Sequence, residues 1–389
     1  MIALLVACGP GRPVGEDLDL RDAADEVAGE APDDGEAPPE DNAFLFERVH
    51  TIELELDDEA LAGLATAPDQ DVDDVRARFT LGEESYRVGL RLRGGENSFR
   101  TIEGKPGFRV DFNEFVEDQE FHGLRALTLL NMVQDPSMIA EHVTFRLYDA
   151  VGLVAPRHGY ARVFVNGTDY GLYGLVEPVD EAFVDARWEG EDGPVFEGDN
   201  ADLVATDLAR FSTDVEERAP LDALVATLDT TTADVYLPTV DDLFGPDMAL
   251  KHVAVDLVTG NADAYTTRVN NWFLYYEVEA GRWWTMPWGL DRAMRTDLDV
   301  TSLYRGRLYQ DCWASTACAA RFRVIVEDVL LAWEAIDLTG YAEDVATTIY
   351  DDCVNDPRGP GGCEIDQPAV LAWIAARPGV VRGQLGESR

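Results

Sequence analysis

The chain has 389 residues, 46% of them hydrophobic and 10% aromatic, enough for a sizeable core in two or three average domains or one large two-lobed one. Its 75 acidic residues against 31 basic ones give a formal charge of −44, which repels phosphate backbones and argues against nucleic-acid binding. No run of about 18 apolar residues occurs, so no transmembrane helix is expected. Histidines number five and none pairs at H-E-x-x-H spacing, which argues against a zinc hydrolase.

The first eight residues, "MIALLVAC", have the small-residue-then-Cys form of a bacterial lipoprotein cleavage site, with Cys8 as the lipidated residue. The apolar stretch is too short for a whole signal peptide and lacks a basic start, so it reads as the end of a truncated one. Residues 9–43 are rich in Asp, Glu, Ala, Pro and Gly and contain no aromatic residue. Such a segment cannot bury enough surface to fold and is expected to be a flexible tether.

Folding is expected from Phe44. "RVHTIELELDD" alternates apolar and polar residues as a strand does, and "DDEALAGLATAP" reads as a short capped helix. "DVRARFTL", "SYRVGLRLRGG", "KPGFRVDFNEF" and "LRALTLLNM" follow as strands. "DPSMIAEHVTFRLYDAVG" has helical periodicity, with Asp135 and Ser137 as candidate N-caps and Gly152 at the end. "YARVFVNGTDYGLYGLVEPVD" is a hairpin around Asn166-Gly167. Beyond "VDEAFVDARW" long amphipathic helices dominate, interrupted by one aromatic strand pair, "NNWFLYYEVEAGRWWTMPWGLD". The layout is α+β, with an N-terminal lobe over 44–177, a mainly helical lobe over 178–389 and a cleft between them. Cys312 with Cys318, and Cys353 with Cys363, lie at short spacing in loop-like surroundings and read as two local disulfides, hence an oxidising compartment. Neither pair has the C-x-x-C spacing of structural zinc.

Four features could carry chemistry. In "RLRGGENSFR", Gly94 and Gly95 let backbone approach a phosphate, with Arg93, Asn97 and Ser98 as donors, although the doublet also reads as a hairpin turn. Lys105 opens a strand and could neutralise phosphates, or be a solvated strand Lys. Asp263, followed by Asn270 and Asn271, fits a pair that orients a hydroxyl and holds Mg²⁺, although Asn-Ala-Asp is also an ordinary capping sequence. Asp291 ends the apolar "WTMPWGLD", where a rigid wall could hold a hard-cation ligand, or an N-cap. With Glu177 at the join, the order Gly-rich turn, Lys, Glu, Asp, Asn, Asp is that of a kinase site, yet no H-R-D, D-F-G or A-P-E occurs.

These stretches, with "LLNMVQDPSMIAEHVTFRLYDAVG", resemble the CotH kinase family over roughly Phe44 to Tyr304, most specifically in "VNG-x-x-YGLYGLVE" and "PW-x-LD". The resemblance implies a two-lobed, atypical protein-kinase-like fold that is secreted or lipid-anchored, is monomeric, and uses ATP with Mg²⁺ or Mn²⁺ to phosphorylate Ser or Thr of partner proteins. It implies that Lys105 meets the phosphates, Glu177 lies at the adenine-side hinge, Asp263 orients or deprotonates the acceptor hydroxyl, and Asn271 or Asn270 with Asp291 holds metal. Three departures stand out. Gly289 replaces the first Asp of the family's "W-D-L-D", the family's "RGNSS" becomes the longer "RGGENS", and Ala140 stands where an Arg is frequent. A surface binding protein without turnover is the competing expectation, and a carbohydrate adhesin built on "RWWTMPW" a third.

Overall fold

The computed structural model describes residues 40–67, 73–95, 97–188, 193–213 and 218–387. The lipoprotein-like segment, the acidic stretch as far as residue 39, and Glu96 of the glycine-rich turn lie outside the described residues. A 3₁₀ turn at Glu40–Phe46 starts four residues inside the expected tether.

Seven strands form a closed barrel: β1 (Val49–Glu55), β2 (Val75–Leu81), β3 (Glu84–Arg93), β4 (Gly107–Asp111), β5 (Ala126–Leu130), β6 (His158–Val165) and β7 (Thr168–Val176). Neighbours run antiparallel except β1 and β6, whose parallel pairing closes the ring. Alternating apolar residues, among them Ile52, Phe79, Val88, Phe108 and Val163, fill the interior, and closure leaves no open sheet edge. Asn166 and Gly167 take the two left-handed positions of the β6–β7 turn (φ 48° and 71°), as the hairpin signal requires. After β1 comes α1 (Asp58–Thr66), capped by the Asp57 carboxylate, which accepts the Ala60 N–H at 2.8 Å.

The helix α2 (Ala140–Ala150) lies between β5 and β6 in the chain but packs in the other lobe. Met138, Ile139 and Val143 share a core with Val253, Phe322 and Ile349, so residues 132–153 reach across the junction. The cap residue of α2 is Ile139. Asp135 nonetheless serves the helix start from five residues back, accepting the Ala140 N–H at 2.9 Å.

The C-terminal part comprises α3 (Glu181–Asp185), β8 (Val195–Gly198), β9 (Phe211–Ser212), α4 (Ala219–Thr230), α5 (Tyr236–Phe244), α6 (Met248–Val258), α7 (Tyr265–Arg268), β10 (Trp272–Glu277), β11 (Arg282–Pro287), α8 (Arg307–Ala314), α9 (Thr316–Ala335), α10 (Leu338–Val354) and α11 (Cys363–Glu387). The expected aromatic strand pair is β10–β11, extended by β8 and β9 into a four-stranded sheet. The expected disulfides are formed: Cys312–Cys318 joins α8 to α9 and Cys353–Cys363 joins α10 to α11. Among the described residues no helix is long and apolar enough to cross a membrane.

The loop inside the second disulfide docks on the barrel. Asp356 accepts the Leu172 N–H of β7 at 2.9 Å, and Arg358 donates to the carbonyls of Glu103 and Gly104 while stacking over Tyr170. Gly171 permits this approach: its φ is +91°, and a Cβ there would fall within the Asp356 carboxylate. Gly171→Ala should therefore lose roughly 2–5 kcal/mol in urea unfolding, from left-handed strain plus overpacking. Gly167→Ala, with φ +71° but open space around it, should lose only about 1–2 kcal/mol.

Candidate functional site

The segment after α6 carries the first site residue. Buried Arg377 of α11 donates to the carbonyls of Leu257 and Val258 at 2.8 Å each, a cationic cap on the last turn of α6. Gly260 (φ +64°) then turns the chain against the Thr296 carbonyl, where any Cβ would collide. Asn261 accepts the Asp263 N–H at 3.0 Å, and the buried Asp256 carboxylate holds Thr266 through its N–H and hydroxyl. Asp263 is thus fixed at the backbone while its side chain stays 23% exposed, 3.7 Å from Arg292.

The β10–β11 ladder supplies the other two. The Trp288 N–H donates to the Asn271 carbonyl at 3.0 Å, extending the pairing to the turn that holds Asp291. Asn271 has φ +57°, and its Nδ2 donates to the carbonyls of Asp263 (3.0 Å) and Gly289 (3.4 Å), which ties the two loops together. The neighbouring Asn270 points elsewhere and accepts the Asn200 N–H. Gly289 has φ +54°, and a Cβ there would come 2.9–3.1 Å from the Asn271 side-chain atoms. A side chain at position 289 would therefore have to displace the Asn271 side chain.

A third segment, 134–141, closes over Asp291. Gln134 donates to its Oδ2 at 3.3 Å. Asp135, paired with Arg295, and Glu141, which accepts the Leu290 N–H at 2.9 Å, are both buried. Burial, then the charges of Asp135 and Asp263, push Asp291 up to about 6 against the pull of Arg295 and Arg292. Glu141 is raised well above the usual carboxylate range, first by burial and then by Asp291 and Asp135. Reading the sequence missed Gln134, Glu141, Arg292 and Arg295 and took Asp135 only for a cap. An acidic residue in a first helical turn looks like a partner for the helix dipole, and only the folded chain brings Glu141 to Leu290.

The donors suit a small hard cation. Among the described residues no three His, Cys, Asp or Glu side chains group closely enough to hold an ion by themselves. One carboxylate (Asp291) and one amide oxygen (Asn271 Oδ1), with water and phosphate oxygens completing the shell, is the kind of set Mg²⁺ accepts. A cation there would also offset the crowding of Asp291 by other carboxylates.

Beside this cluster a cleft of about 800 Å³ runs between β3–β4, the 178–185 segment and the β8–β10 sheet, and Phe273 and Trp288 line it. Arg93 packs over the Trp288 ring at 5.0 Å and has no ion-pair partner among the described residues; desolvation lowers it to about 10. Trp283 and Trp284 are buried, as expected of core residues rather than an adhesin surface. Glu177 lies at the junction, its two oxygens taken by Arg157 and Arg187 at 2.7–3.1 Å. Burial works against ionising it, yet the Arg187 and Arg157 charges hold it below its ordinary value. In the glycine-rich turn, Gly94 (φ +150°) packs on the Phe99 backbone and the Gly95 N–H donates to Ser98 Oγ at 2.9 Å. The Asn97 carbonyl accepts from Arg100, so this turn is closed on itself.

Lys105 is not brought to the acid cluster. It is buried, donates to the Leu172 carbonyl (2.6 Å) and the Asp356 carboxylate (2.5 Å), and lies 5.0 Å over Tyr173. Burial lowers its pKa, and Asp356 works against that.

A barrel lobe, a helical lobe and an Asp–Asn–Asp set at their junction are the frame in which the family match identifies a kinase-like protein. The chain belongs to the CotH kinase protein family, whose model matches residues 90–328. It is 25% identical over 250 residues to the inner spore coat protein H of Bacillus subtilis (strain 168), spanning 59% of this chain and 64% of that protein's length. Among solved structures, the Helicobacter pylori proinflammatory kinase CtkA superposes with a TM-score of 0.37 at 9% identity, over 72% of this chain and 93% of that one. The Shewanella oneidensis MR-1 HipA–HipB complex with operator DNA gives 0.35 at 16% identity, over 76% and 68%.

Two outcomes follow from these placements. Lys105→Met should cost about 3–5 kcal/mol in urea unfolding because it strands the Asp356 charge, and Lys105→Met with Asp356→Asn should recover about half or more of that. Asp180, at the cleft, is pushed up to about 6 by burial, with Arg109 opposing. Its folded value lies above the ordinary 3.9, so the folded state binds the extra proton and stability is lost as pH rises from about 4 to 6. Asp180→Asn, which can still accept the Phe183 N–H, should melt higher than the parent at pH 7.5 and level with it near pH 4.

Proposed function

We propose that the protein is an extracytoplasmic kinase that uses ATP with Mg²⁺ or Mn²⁺ to phosphorylate Ser or Thr side chains of surface or secreted proteins. The observation that carries this reading is the meeting of Asp263, Asn271 and Asp291 on two stitched loops beside a cleft large enough for a nucleotide. Family membership supports phosphotransfer. Two disulfides and a spore-coat relative support an oxidising setting outside the cytoplasm, with Cys8 as the proposed lipid anchor.

In this reading Asp263, whose side chain is 23% exposed, orients or deprotonates the acceptor hydroxyl. Asp291 and Asn271 Oδ1 would hold the cation, which when bound neutralises charge on the phosphates. Arg93 faces an anionic part of the nucleotide and Trp288 and Phe273 give the cleft its apolar wall. Glu177 and Lys105 act at a distance by fixing the walls, since their charged ends are held within the protein.

One observation favours a second reading, a surface binding protein with weak or no turnover. Gly289 stands where the family resemblance expects a carboxylate, and a side chain there would crowd Asn271. The test is transfer of label from γ-labelled ATP to an acceptor protein with Mg²⁺ or Mn²⁺. Transfer should occur and fall at least about 100-fold in Asp263→Ala and in Asp291→Ala, as loss of a positioned acid–base or charge-stabilising group does. No transfer, or transfer unchanged from the parent in Asp263→Ala and Asp291→Ala, would contradict the kinase reading and leave the binding-protein reading standing.

A further inference from the structure

The helix α2 reaches the Asp291 turn through one buried acid, Glu141. Glu141 Oε1 accepts the Leu290 N–H at 2.9 Å, and Glu141 Oε2 lies 4.0 Å from His158 Nε2. His158 Nδ1 and His142 Nδ1 share a hydrogen bond at 3.0 Å, and His142 Nε2 meets the Tyr341 hydroxyl at 2.6 Å. Glu141, His142 and His158 are all buried, and only Tyr341, on α10, is partly exposed. Hydrogen bonds therefore join His158 of β6 through His142 of α2 to Tyr341 of α10, and Glu141 lies beside them without sharing one. His158 Nε2 has no hydrogen-bond partner in its own right, and Glu141 is the acid that faces it.

We propose that Glu141 is the positioning residue of the proposed phosphotransfer site: it fixes the Leu290 amide and through it the direction of the Asp291 carboxylate. The turn it holds has reason to need an external brace. Gly289, at φ +54°, gives the backbone a freedom that a residue with a side chain would not, and Met294 just beyond is also left-handed (φ 59°). The Trp288 N–H to Asn271 bond secures the turn from the sheet side, and Glu141 secures it from the helix side. Glu141 itself is too deeply buried to touch a ligand, so its effect is exerted through Leu290. The role departs from that of Lys105, which binds α10's loop rather than α2 and leaves Glu141 without a lysine partner.

The proposal rests on the assignment of Asp291 to cation binding, and its test separates the two claims. Amide hydrogen exchange at Leu290 reads the brace directly, and Mn²⁺ affinity, from the free-ion electron paramagnetic resonance signal with a non-hydrolysable ATP analogue, reads its consequence. Glu141→Gln keeps an acceptor for the Leu290 N–H and should leave both within about threefold of the parent. Glu141→Leu should speed Leu290 exchange and weaken Mn²⁺ binding by about tenfold or more, while exchange within β10 stays slow. Should that variant not fold, Glu141→Ala, which removes the acceptor without forcing a bulkier chain into its place, should speed Leu290 exchange about tenfold, with kcat lowered and acceptor KM unchanged. Leu290 exchange unmoved in Glu141→Leu, or in Glu141→Ala where the former does not fold, overturns the proposal. So does failure of Glu141→Gln to restore it. A parent protein that binds no Mn²⁺ contradicts the cation reading instead, and Leu290 exchange then still decides the role of Glu141.

Discussion

The charge of Asp291, held beside the carboxylates of Asp135 and Asp263 in a partly buried turn, is the constraint around which the junction of the two lobes is arranged. Like charges at short range in a poorly solvated site repel strongly, and burial adds a further penalty for ionisation. Elsewhere in so acidic a chain such crowding is relieved by solvent. Here it is met by fixed groups: Arg295 on Asp135, Arg292 near Asp263, Gln134 on Asp291 itself, and backbone amides on Glu141 and Asp135. What remains uncompensated is suited to a cation, which links the electrostatics of the fold to the chemistry of phosphotransfer.

Two covalent loops and several buried ion pairs maintain that arrangement from a distance. Glu177 collects Arg157 from before β6 and Arg187 from after α3, so the crossing between lobes is pinned by charge-assisted bonds on both sides. Lys105 and Asp356, 251 residues apart, draw the disulfide-bounded loop after α10 onto β7. Buried pairs of this kind contribute less to stability than to uniqueness of the pairing, since breaking one partner is far worse than lacking both. The cleft walls therefore depend on residues that touch no part of the proposed site.

Local pattern made much of this visible in advance. Alternation in β1 to β7, the Asn-Gly turn, the aromatic β10–β11 pair and the close cysteine pairs are each encoded within a dozen residues or so. The position of Asn271 rather than Asn270 was not, because adjacent residues of one type differ only in which way the strand start turns them. The barrel closure was hidden as well: the parallel pairing of β1 with β6 joins segments about a hundred residues apart, and no local signal names the partner. Lys105 has the pattern of an exposed strand lysine, and only Asp356 far downstream makes it a buried one. Glu141 has the pattern of an ordinary first-turn acid, and only the return of the chain at Leu290 gives it a task.

Gly289 is where sequence and structure say different things about the same departure. As a letter in "WGLD" it is a missing acid, a loss. In the folded chain it is a left-handed turn residue whose absent side chain leaves room for Asn271. The proposed cation site then rests on one carboxylate, Asp291, and one amide oxygen, that of Asn271. The measurement that bears most directly on it is anomalous diffraction from crystals soaked with Mn²⁺ and a non-hydrolysable ATP analogue. A manganese peak between the Asp291 carboxylate and Asn271 Oδ1, with the nucleotide in the cleft lined by Phe273 and Trp288, is the predicted result. No peak at that position, or a nucleotide bound away from it, would contradict the account.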